Sequence, residues 1–426
     1  MSKKKLMPSL RFEEFEGDET WKLYELGEVM SIVTDYVAAG SFADIAHNVK
    51  YETEPNYAQL VRTVDIKHKF KNNNFVYVDR TGFEFLWRVN LDKQSIILPN
   101  IGANIGEVYH ITKSQLPYHR NVLGPNAILL KTDYNTPFMY NLFQTNTFQR
   151  NLKIIIASSG QPKFNKTELK QIEFFIPKKI EQEKIGKFFV RLDELIQLQQ
   201  SKVNKVKDIK SAYLSEMFPK EGEKYPKKRF EGFTEPWEEY KLKDMGRSLT
   251  GLSGKSKKDF GHGEAEFVTY MNVFNNPIAK STQTAQVEVD ENQTEVEYGD
   301  IFFTVSSETP NEVGMSSVWL YNRPNVYLNS FCFGFRPTIN LNPYYMAYML
   351  RSPEIRKRFI LLAQGISRYN ISKTKAMELL FPIPSNEEQE KIGQFFKNLD
   401  NQISIEEEKL VKLEKLKQAY LNDMFV

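Results

Sequence analysis

The chain contains one long stretch twice. The first copy runs from Glu181 to Phe218 and the second from Glu388 to Phe425, and the two align at one constant offset without a gap. The segments EQEKIG, FF, LD, AYL and MF recur at matching places in both copies. A shared apolar pattern alone does not produce identities at this density, so we interpret the stretch as an internal duplication.

Each copy has the periodicity of one long helix. Apolar residues recur at spacings of four and three, which is more typical of a coiled coil than of a surface helix. Two seam positions are polar in both copies, Gln199 with Glu406 and Lys210 with Lys417. The predicted seam residues are Ile185, Phe189, Leu192, Ile196, Val203, Val206, Tyr213, Ile392, Phe396, Leu399, Ile403, Leu410, Leu413 and Tyr420. We expect each helix to pair with the other copy; the alternative is that each packs on its own domain.

The duplication extends beyond the long helices. An RFExF segment begins at Arg11 and again at Arg229, and a WxxYxL segment begins at Trp21 and again at Trp237. A further loop motif precedes each helix, GQPKFN from Gly160 and its counterpart GISRYN in the second half. The whole unit of domain and helix is therefore repeated.

Two variable blocks, about residues 27–159 and 243–364, lie between these shared segments. Short β-branched and aromatic runs alternate there with turn residues, which predicts strands. Each block also contains a predicted helix, at residues 136–152 and 343–362.

The predicted fold class is α+β, with two tandem mixed α/β domains that are each followed by a long helix. The predicted divisions are a first domain at residues 1–180, a first long helix at 181–218, a linker at 219–236, a second domain at 237–386 and a second long helix at 387–426.

Composition excludes several classes of protein. The net charge of +3 is small, so affinity for nucleic acid has to come from local basic patches. The single cysteine, Cys332, cannot form an intrachain disulfide, which favours a reducing cytoplasm. We find neither the apolar core of a signal peptide nor a run of about 18 apolar residues that would predict a membrane span.

Sequence motifs for catalysis are incomplete. The segment GLSGKS from Gly251 resembles the end of a phosphate-binding P-loop, but Leu249 stands where the motif needs its first glycine. NPYY from Asn342 indicates a helix start with proline in the first turn and not a catalytic motif. No two of the five histidines have a metal-ligand spacing. We therefore predict no catalytic residue, no metal site and no cofactor bound by this chain.

Basic and polar residues recur in both halves. Lys and Arg neutralise phosphates, and Arg and Asn can pair with base edges in the major groove. For each patch alone a solvated surface is the alternative, but their presence in both halves favours DNA. The candidate DNA-binding residues are Arg62, Lys67, Lys69, Lys71, Asn73, Lys163, Lys255, Ser256, Lys257, Lys258, Arg368 and Tyr369.

The arrangement resembles the specificity (S) subunit of Type I restriction-modification systems. The features that carry the resemblance are the WxxYxL opening, the variable block, the loop motif and the EQEKIG-x-FF-x-x-LD helix start, all present twice. The resemblance extends from about Arg11 to Val426.

The resemblance implies a function for each part. Each variable block would be a target recognition domain that reads one half of a split double-stranded DNA sequence. The long helices would pair as an antiparallel coiled coil that separates the domains and docks two modification (M) subunits, which carry S-adenosylmethionine and methylate adenine at N6. Restriction (R) subunits would join this core and use ATP and Mg. The S subunit itself would do no chemistry.

The repeat predicts a pseudo-twofold arrangement with two half-sites, which should differ because the variable blocks differ. Two other classes of function stay open at this point. One is a coiled-coil assembly protein whose variable domains bind protein. The other is an enzyme such as a nuclease, which the missing catalytic motifs disfavour.

Overall fold

The computed structural model describes residues 7–72, 74–157 and 162–426. Asn73, one of the candidate DNA-binding residues, lies outside the described residues, as do Gly160 and Gln161 of the first loop motif. The chain divides into two compact units. The first unit comprises the described residues up to Gln199 together with Lys409–Val426, and the second comprises Gln200–Glu408. Each unit therefore contains one variable block, the first part of the long helix that follows this block, and the last part of the other long helix.

The first unit contains three sheets. Its strands are β1 (Lys22–Glu25), β2 (Ile32–Asp35), β3 (Ala58–Val61), β4 (Val76–Val78), β5 (Ser95–Pro99), β6 (Tyr109–Ile111), β7 (Asn121–Leu123), β8 (Ala127–Lys131) and β9 (Glu173–Ile176). An antiparallel sheet has the order β2-β8-β5-β6, and a second sheet has the order β4-β3-β7 with β3 and β7 parallel. The pair β1-β9 joins the WxxYxL segment to the strand before the long helix.

Helices of the first unit connect and cover these sheets. They are α1 (Leu26–Val29), α2 (Phe42–Asn48), α3 (Thr63–Lys67), α4 (Arg80–Phe85), α5 (Thr136–Leu142), α6 (Asn146–Ala157), α7 (Lys166–Lys170) and α8 (Lys179–Glu216), of which α8 continues into the second unit.

The second unit repeats this topology. Its strands are β10 (Glu238–Lys241), β11 (Gly246–Thr250), β12 (Phe260–Val268), β13 (Thr284–Val287), β14 (Ile301–Thr304), β15 (Ser306–Ser307), β16 (Ser316–Val318), β17 (Val326–Leu328), β18 (Cys332–Pro337), β19 (Tyr369–Asn370) and β20 (Leu380–Ile383). The sheet orders β11-β18-β14-β16, β13-β12-β17 and β10-β20 correspond one for one to those of the first unit, and the small pair β15-β19 is additional. The two variable blocks therefore share a fold although they share little sequence.

The helices of the second unit follow the same order. They are α9 (Leu242–Met245), α10 (Tyr270–Asn275), α11 (Pro343–Met349), α12 (Pro353–Ile360), α13 (Lys373–Met377) and α14 (Asn386–Asp423), of which α14 ends in the first unit.

The prediction of a single helix at residues 136–152 and at 343–362 was wrong. In the first unit the helix breaks between α5 and α6, where the Thr145 hydroxyl donates to Leu142 O and accepts from Phe148 N. In the second unit Pro353 begins α12, and proline cannot continue the hydrogen bonding of a preceding helix.

The two long helices run antiparallel where they meet in each unit. In the first unit Phe188 contacts Tyr420, with ring centroids 4.9 Å apart, and Asp193 pairs with Lys417 at 2.6 Å. The position on α8 rises as the position on α14 falls. The second unit repeats this order, with Lys210 paired with Asp400 and Tyr213 against Phe395.

Each unit has a core shared by its own domain and by both helices. Phe425, near the end of α14, packs on Trp21, Phe138 and Phe189 of the first unit. Phe218, just beyond the end of α8, packs in the same way on the corresponding side chains of the second unit. Both arrangements considered for the helix seam therefore occur, because each helix start packs on its own domain and on the other helix.

Within the described ranges, no helix combines the length and the apolar character needed to span a membrane.

Candidate nucleic-acid interface

The start of each long helix is fixed by a buried carboxylate. In the first unit Arg11 donates two hydrogen bonds of 2.7 Å to Glu181, the first residue of EQEKIG. Trp21 Nε1 donates a third, at 3.4 Å, to the same carboxylate. The Glu181 side chain is 1% exposed and that of Arg11 is 6% exposed, so this is a buried ion pair. The hydrogen bond to Glu181 raises the pKa of Arg11 although burial opposes it.

The second unit contains the same buried ion pair. Arg229 donates two hydrogen bonds of 2.7 Å to Glu388, and Trp237 Nε1 donates one of 3.2 Å. The RFExF and WxxYxL segments therefore supply the donors, and EQEKIG supplies the acceptor. The repeated sequence motifs are explained by one repeated contact that holds each domain on its helix.

The next residues of EQEKIG complete this joint. Gln182 donates to Pro177 O at 2.8 Å, and Gln389 donates to Pro384 O at 3.0 Å. Gly186 lies so close to α5 that an added Cβ would come 2.2 Å from the Asn135 Oδ1 atom. Since that atom also caps α5, a side chain here would disturb the helix start that packs against α8.

All fourteen predicted seam residues are buried or half-buried. The two seam lysines have acidic partners across the helix pair: Lys210 pairs with Asp400, and Lys417 pairs with Asp193. Tyr348 also donates to Asp400 at 2.8 Å. Each lysine thus meets the aspartate of the LD segment from the other helix.

Several strands of the variable block in the first unit end close to one another. We call residues 61–62, 99–101, 124–126 and 163–165 the first edge. Gly124 N donates to Val61 O at 2.8 Å, Asn100 N donates to Asn126 O at 3.1 Å, and Phe164 N donates to Asn100 O at 3.3 Å. These bonds bring the ends of β3, β5 and β7 to the start of β8 and to the loop motif.

Two candidate residues, Arg62 and Lys163, belong to the first edge, and three more lie at the end of α3 or just after it. Arg62 follows β3, and its guanidinium pairs with Asp65 at 2.7 Å. Lys67 pairs with Glu107 at 2.8 Å, and Lys163 forms a bridge with the exposed Ile101. Lys69 and Lys71, both exposed, follow α3.

The second unit has an equivalent second edge, formed by Val268 together with residues 250–252, 304–307, 328–332 and 364–371. Asn329 N donates to Val268 O at 3.2 Å, Val305 N donates to Phe331 O at 3.1 Å, and Ile371 N donates to Val305 O at 2.9 Å. Each bond has a counterpart at the first edge. The backbone is therefore the same while the side chains differ.

Two candidate residues lie at the second edge. Arg368 is exposed, and its Nε donates to Ser306 Oγ at 2.6 Å. Tyr369 is half-buried in β19, where it pairs with Ser307.

The other candidates of the second unit lie along the loop that leaves this edge. Lys255 pairs with Asp290 at 2.8 Å in the loop after β13, and this hydrogen bond raises the pKa of Lys255. Ser256 caps a short turn that contains the exposed Lys257 and Lys258. None of the contacts among described residues joins these lysines to Arg368.

The predicted alignment of the two loop motifs was wrong by two residues. Asn165 caps α7, but the equivalent cap of α13 is Ser372 and not Asn370. Phe164 correspondingly occupies the place of Ile371, since both donate to the end of the neighbouring strand. The sequence pairing of Lys163 with Arg368 therefore does not hold in three dimensions.

Two features of these edges escaped prediction. Lys166 pairs with Asp35 at the end of β2, at 2.8 Å. Phe331 is 59% exposed and Ile366 is 95% exposed. No sequence signal marks Phe331 and Ile366 as exposed, because apolar residues in a strand-rich block are predicted to lie in the core.

The edges also carry cations without an acidic partner. Among the described residues Lys163 at the first edge and Arg368 at the second form no ion pair. The same holds for Lys69 and Lys71, which follow α3, and for Lys257 and Lys258 in the loop. A second basic group lies at the other end of the first unit's small sheet, where the Arg120 guanidinium stacks on Tyr57 at 4.3 Å. It provides a natural comparison for the first edge.

The described part of the chain contains no cluster of three or more His, Cys, Asp or Glu side chains that could hold a metal ion. Cys332 is buried, and burial raises the pKa of its thiol to about 12.

Comparisons with known proteins agree with this geometry. The family model of the Type I restriction modification DNA specificity domain matches residues 18–208 and again residues 234–415. The putative Type I restriction enzyme MjaX specificity subunit of Methanocaldococcus jannaschii is 23% identical over 433 residues, which covers 95% of this chain and 92% of that protein.

Solved structures show the same fold. A chain from a study of assembly and conformational transition of the Type I R-M system has a TM-score of 0.57 at 14% identity, covering 94% of this chain and 96% of its own. The S subunit of a Type I system from M. genitalium has a TM-score of 0.53 at 15% identity and 99% coverage of both chains. Because the family model covers well over half of the sequence, the chain belongs to the Type I restriction-modification DNA specificity family and carries two tandem recognition domains.

Proposed function

We propose that the chain selects the target of a Type I restriction-modification complex by reading a bipartite, asymmetric DNA sequence, with one half read at each edge. The observation that carries the proposal is the repetition of one set of backbone hydrogen bonds at both edges beneath different side chains. A shared scaffold presents both edges in the same way, and unlike side chains select unlike bases. The unpaired cations at the edges favour a polyanionic ligand.

The paired long helices would set the distance between half-sites and dock two M subunits. Exposed apolar residues on α8, such as Leu195 and Leu198, favour a partner protein along the helices. In this proposal the M subunits hold S-adenosylmethionine and methylate adenine at N6, and R subunits that join the complex use ATP and Mg. The chain itself binds no cofactor, and the complex acts in the cytoplasm.

Charge removal at the edges tests the DNA-reading proposal. In the assembled complex, Lys163→Ala at the first edge and Arg368→Ala at the second should each weaken binding and reduce the slope of log K against log salt by about 1. The loop variant Lys257→Ala/Lys258→Ala should reduce the slope by up to about 2. Fluorescence anisotropy with a labelled target duplex at several salt concentrations measures both quantities.

Matched variants away from the edges control for lost charge. Lys241 and Lys243 pair with Glu378 near the opposite end of β11, and Arg120 lies at the opposite end of β7. Their alanine variants should leave the salt slope unchanged. If Arg120→Ala changes the slope and Lys163→Ala does not, the DNA surface of the first unit is the other end of the sheet.

Helix length tests the spacing proposal. Seven residues added to α8 and seven to α14 where the two units divide would keep the pairing inside each unit. Seven helical residues add about 10 Å, which corresponds to about three base pairs of duplex. The gap in the methylated sequence should lengthen by about that amount while both half-sites stay the same. An unchanged gap would contradict the role of the helices as a spacer.

A further inference from the structure

The second edge presents an aromatic and an almost fully exposed aliphatic side chain, Phe331 and Ile366, whereas at the first edge Ile101 is 48% exposed. Phe331 takes the place that Asn126 occupies at the first edge, since each accepts a backbone hydrogen bond from the residue after the neighbouring strand. A single exposed apolar residue is ordinary on a protein surface. Phe331 differs because it is 59% exposed at an edge whose other exposed residues, apart from Ile366, are polar or glycine.

The backbone of Phe331 is held at both ends. Its N–H donates to Asn329 Oδ1 at 2.9 Å, and its carbonyl accepts from Val305 N at 3.1 Å. Asn329 is itself buried and donates to Val268 O at 3.0 Å. The ring is therefore mounted on a fixed turn at the end of the sheet.

Ile366 extends from the same edge on a short hairpin. Gln364 and Asn370 exchange two backbone hydrogen bonds, of 2.9 and 2.8 Å, that close the hairpin. Gly365 has φ +142°, and an added Cβ would come 2.0 Å from Arg368 O. The tip conformation thus requires glycine and leaves Ile366 95% exposed.

A cation accompanies these apolar groups. Arg368 lies on the hairpin and donates to Ser306, the residue after the Val305 that binds Phe331. It forms no ion pair with a carboxylate of the described chain. Proteins that kink DNA combine an apolar side chain inserted between base pairs with basic groups on the flanking phosphates.

We propose that the second edge inserts Phe331 and Ile366 into its half-site and unstacks one base step, with Arg368 on the adjacent phosphate, while the first edge reads an undeformed half-site through hydrogen bonds. This inference rests on the proposed DNA-reading function. It assigns an indirect, deformability-based component of specificity to one half of the target only.

The test uses the chain assembled with its M subunits on its own methylation target, with 2-aminopurine placed in turn at each adenine of either strand in both half-sites. Its fluorescence rises when the base is unstacked. The methylated adenine is left out, because methyltransferases extrude their target base. We expect a rise at one step, in only one of the two half-sites.

The variant Phe331→Ser/Ile366→Ser should abolish that rise and weaken binding about tenfold or more, because the apolar burial is lost. The conservative Phe331→Leu should retain the rise, and so should Ile339→Ala, which changes an exposed isoleucine beyond the opposite end of β18. Thermal unfolding of each variant shows that the domain stays folded.

Three results would overturn the proposal: no rise at any step, equal rises in both half-sites, or a rise that the double serine variant keeps. If uracil in place of thymine reproduces the binding loss without unstacking, Phe331 and Ile366 contact a thymine methyl group instead. If the wild-type complex does not distinguish its target from other DNA, the proposed DNA-reading function itself fails.

Discussion

The helix joints and the strand-end edges are both repeated, but in opposite ways. At the joints the side chains recur: Arg11 and Arg229 bind Glu181 and Glu388 with the same two distances of 2.7 Å. At the edges only the backbone hydrogen bonds recur. The difference teaches that the frame depends on particular side chains, whereas the edge can change its side chains without changing the fold. Such a division suits a protein whose specificity varies on a fixed scaffold.

The largest loss of stability should come from substitutions in the two joints. Because the same contacts recur in both joints, the two losses should be equal. Glu181→Ala leaves the Arg11 charge and the Trp21 N–H without their buried partner, and Glu388→Ala does the same in the second unit. Breaking a buried ion pair in this way costs about 3–5 kcal/mol. Chemical unfolding should show similar losses for the two variants.

Glu183→Ala is the matched control, because Glu183 is an exposed glutamate on the same helix. Its effect should stay within about 0.5 kcal/mol. A loss below about 1 kcal/mol in either joint variant would mean that the joint does not hold the domain on its helix.

Glycine substitution should expose a smaller difference between the joints. An added Cβ at Gly186 would lie 2.2 Å from Asn135 Oδ1, but at Gly393 the nearest atom, Asn342 Oδ1, would be 2.8 Å away. We expect Gly186→Ala to destabilise by about 1–3 kcal/mol through overpacking, and Gly393→Ala by roughly 1 kcal/mol less. Urea unfolding midpoints of the two variants measure this, and the reverse order would contradict the geometry.

Acid should destabilise the first unit more than the second. His110 on β6 packs against Tyr140 with ring centroids 5.4 Å apart, and its Nε2 atom is buried without a hydrogen-bond partner among the described residues. Burial lowers the pKa of His110, with Asp193 opposing the shift. The equivalent strand β16, Ser316–Val318, contains no histidine.

Below about pH 6.5 the unfolded chain therefore binds a proton that the folded first unit resists. This costs at most about 1.4 kcal/mol per pH unit below that value. Unfolding midpoints at pH 7.5 and 5.5 should fall less for His110→Gln than for the wild type. An identical fall in both proteins would show that this histidine does not contribute.

Edge substitutions should have the smallest effect on stability. Lys163→Ala and Arg368→Ala remove exposed side chains, so the free energy of unfolding should change by less than about 0.5 kcal/mol. Differential scanning calorimetry checks this beside the binding measurements. A loss comparable to the joint variants would mean that the edges also hold the fold together.

Much of the frame could be predicted from the sequence because it depends on recurring side chains. Heptad spacing located α8 and α14 within three residues at each end, and the repeats located the segments that form the joints. The break between α5 and α6 was missed because one threonine hydroxyl caps it, which has no strong local signal.

The edges were harder to predict for a physical reason. Backbone N–H and C=O groups pair whatever the residue, so the equivalent positions of Asn126 and Phe331 leave no trace in an alignment. The candidate lysines were found by charge, but the carboxylates that pair with Lys67 and Lys255, Glu107 and Asp290, lie far along the chain. Sequence alone could not separate paired cations from unpaired ones.

The most direct test of the account is a genome-wide map of methylated adenines in cells that carry the complete system, with the wild-type chain and with Phe331→Ser/Ile366→Ser. The account predicts a motif of two unlike half-sites with a fixed gap, in which the variant relaxes one half and leaves the other half and the gap unchanged. A single continuous motif, or a variant that relaxes both halves together, would contradict it.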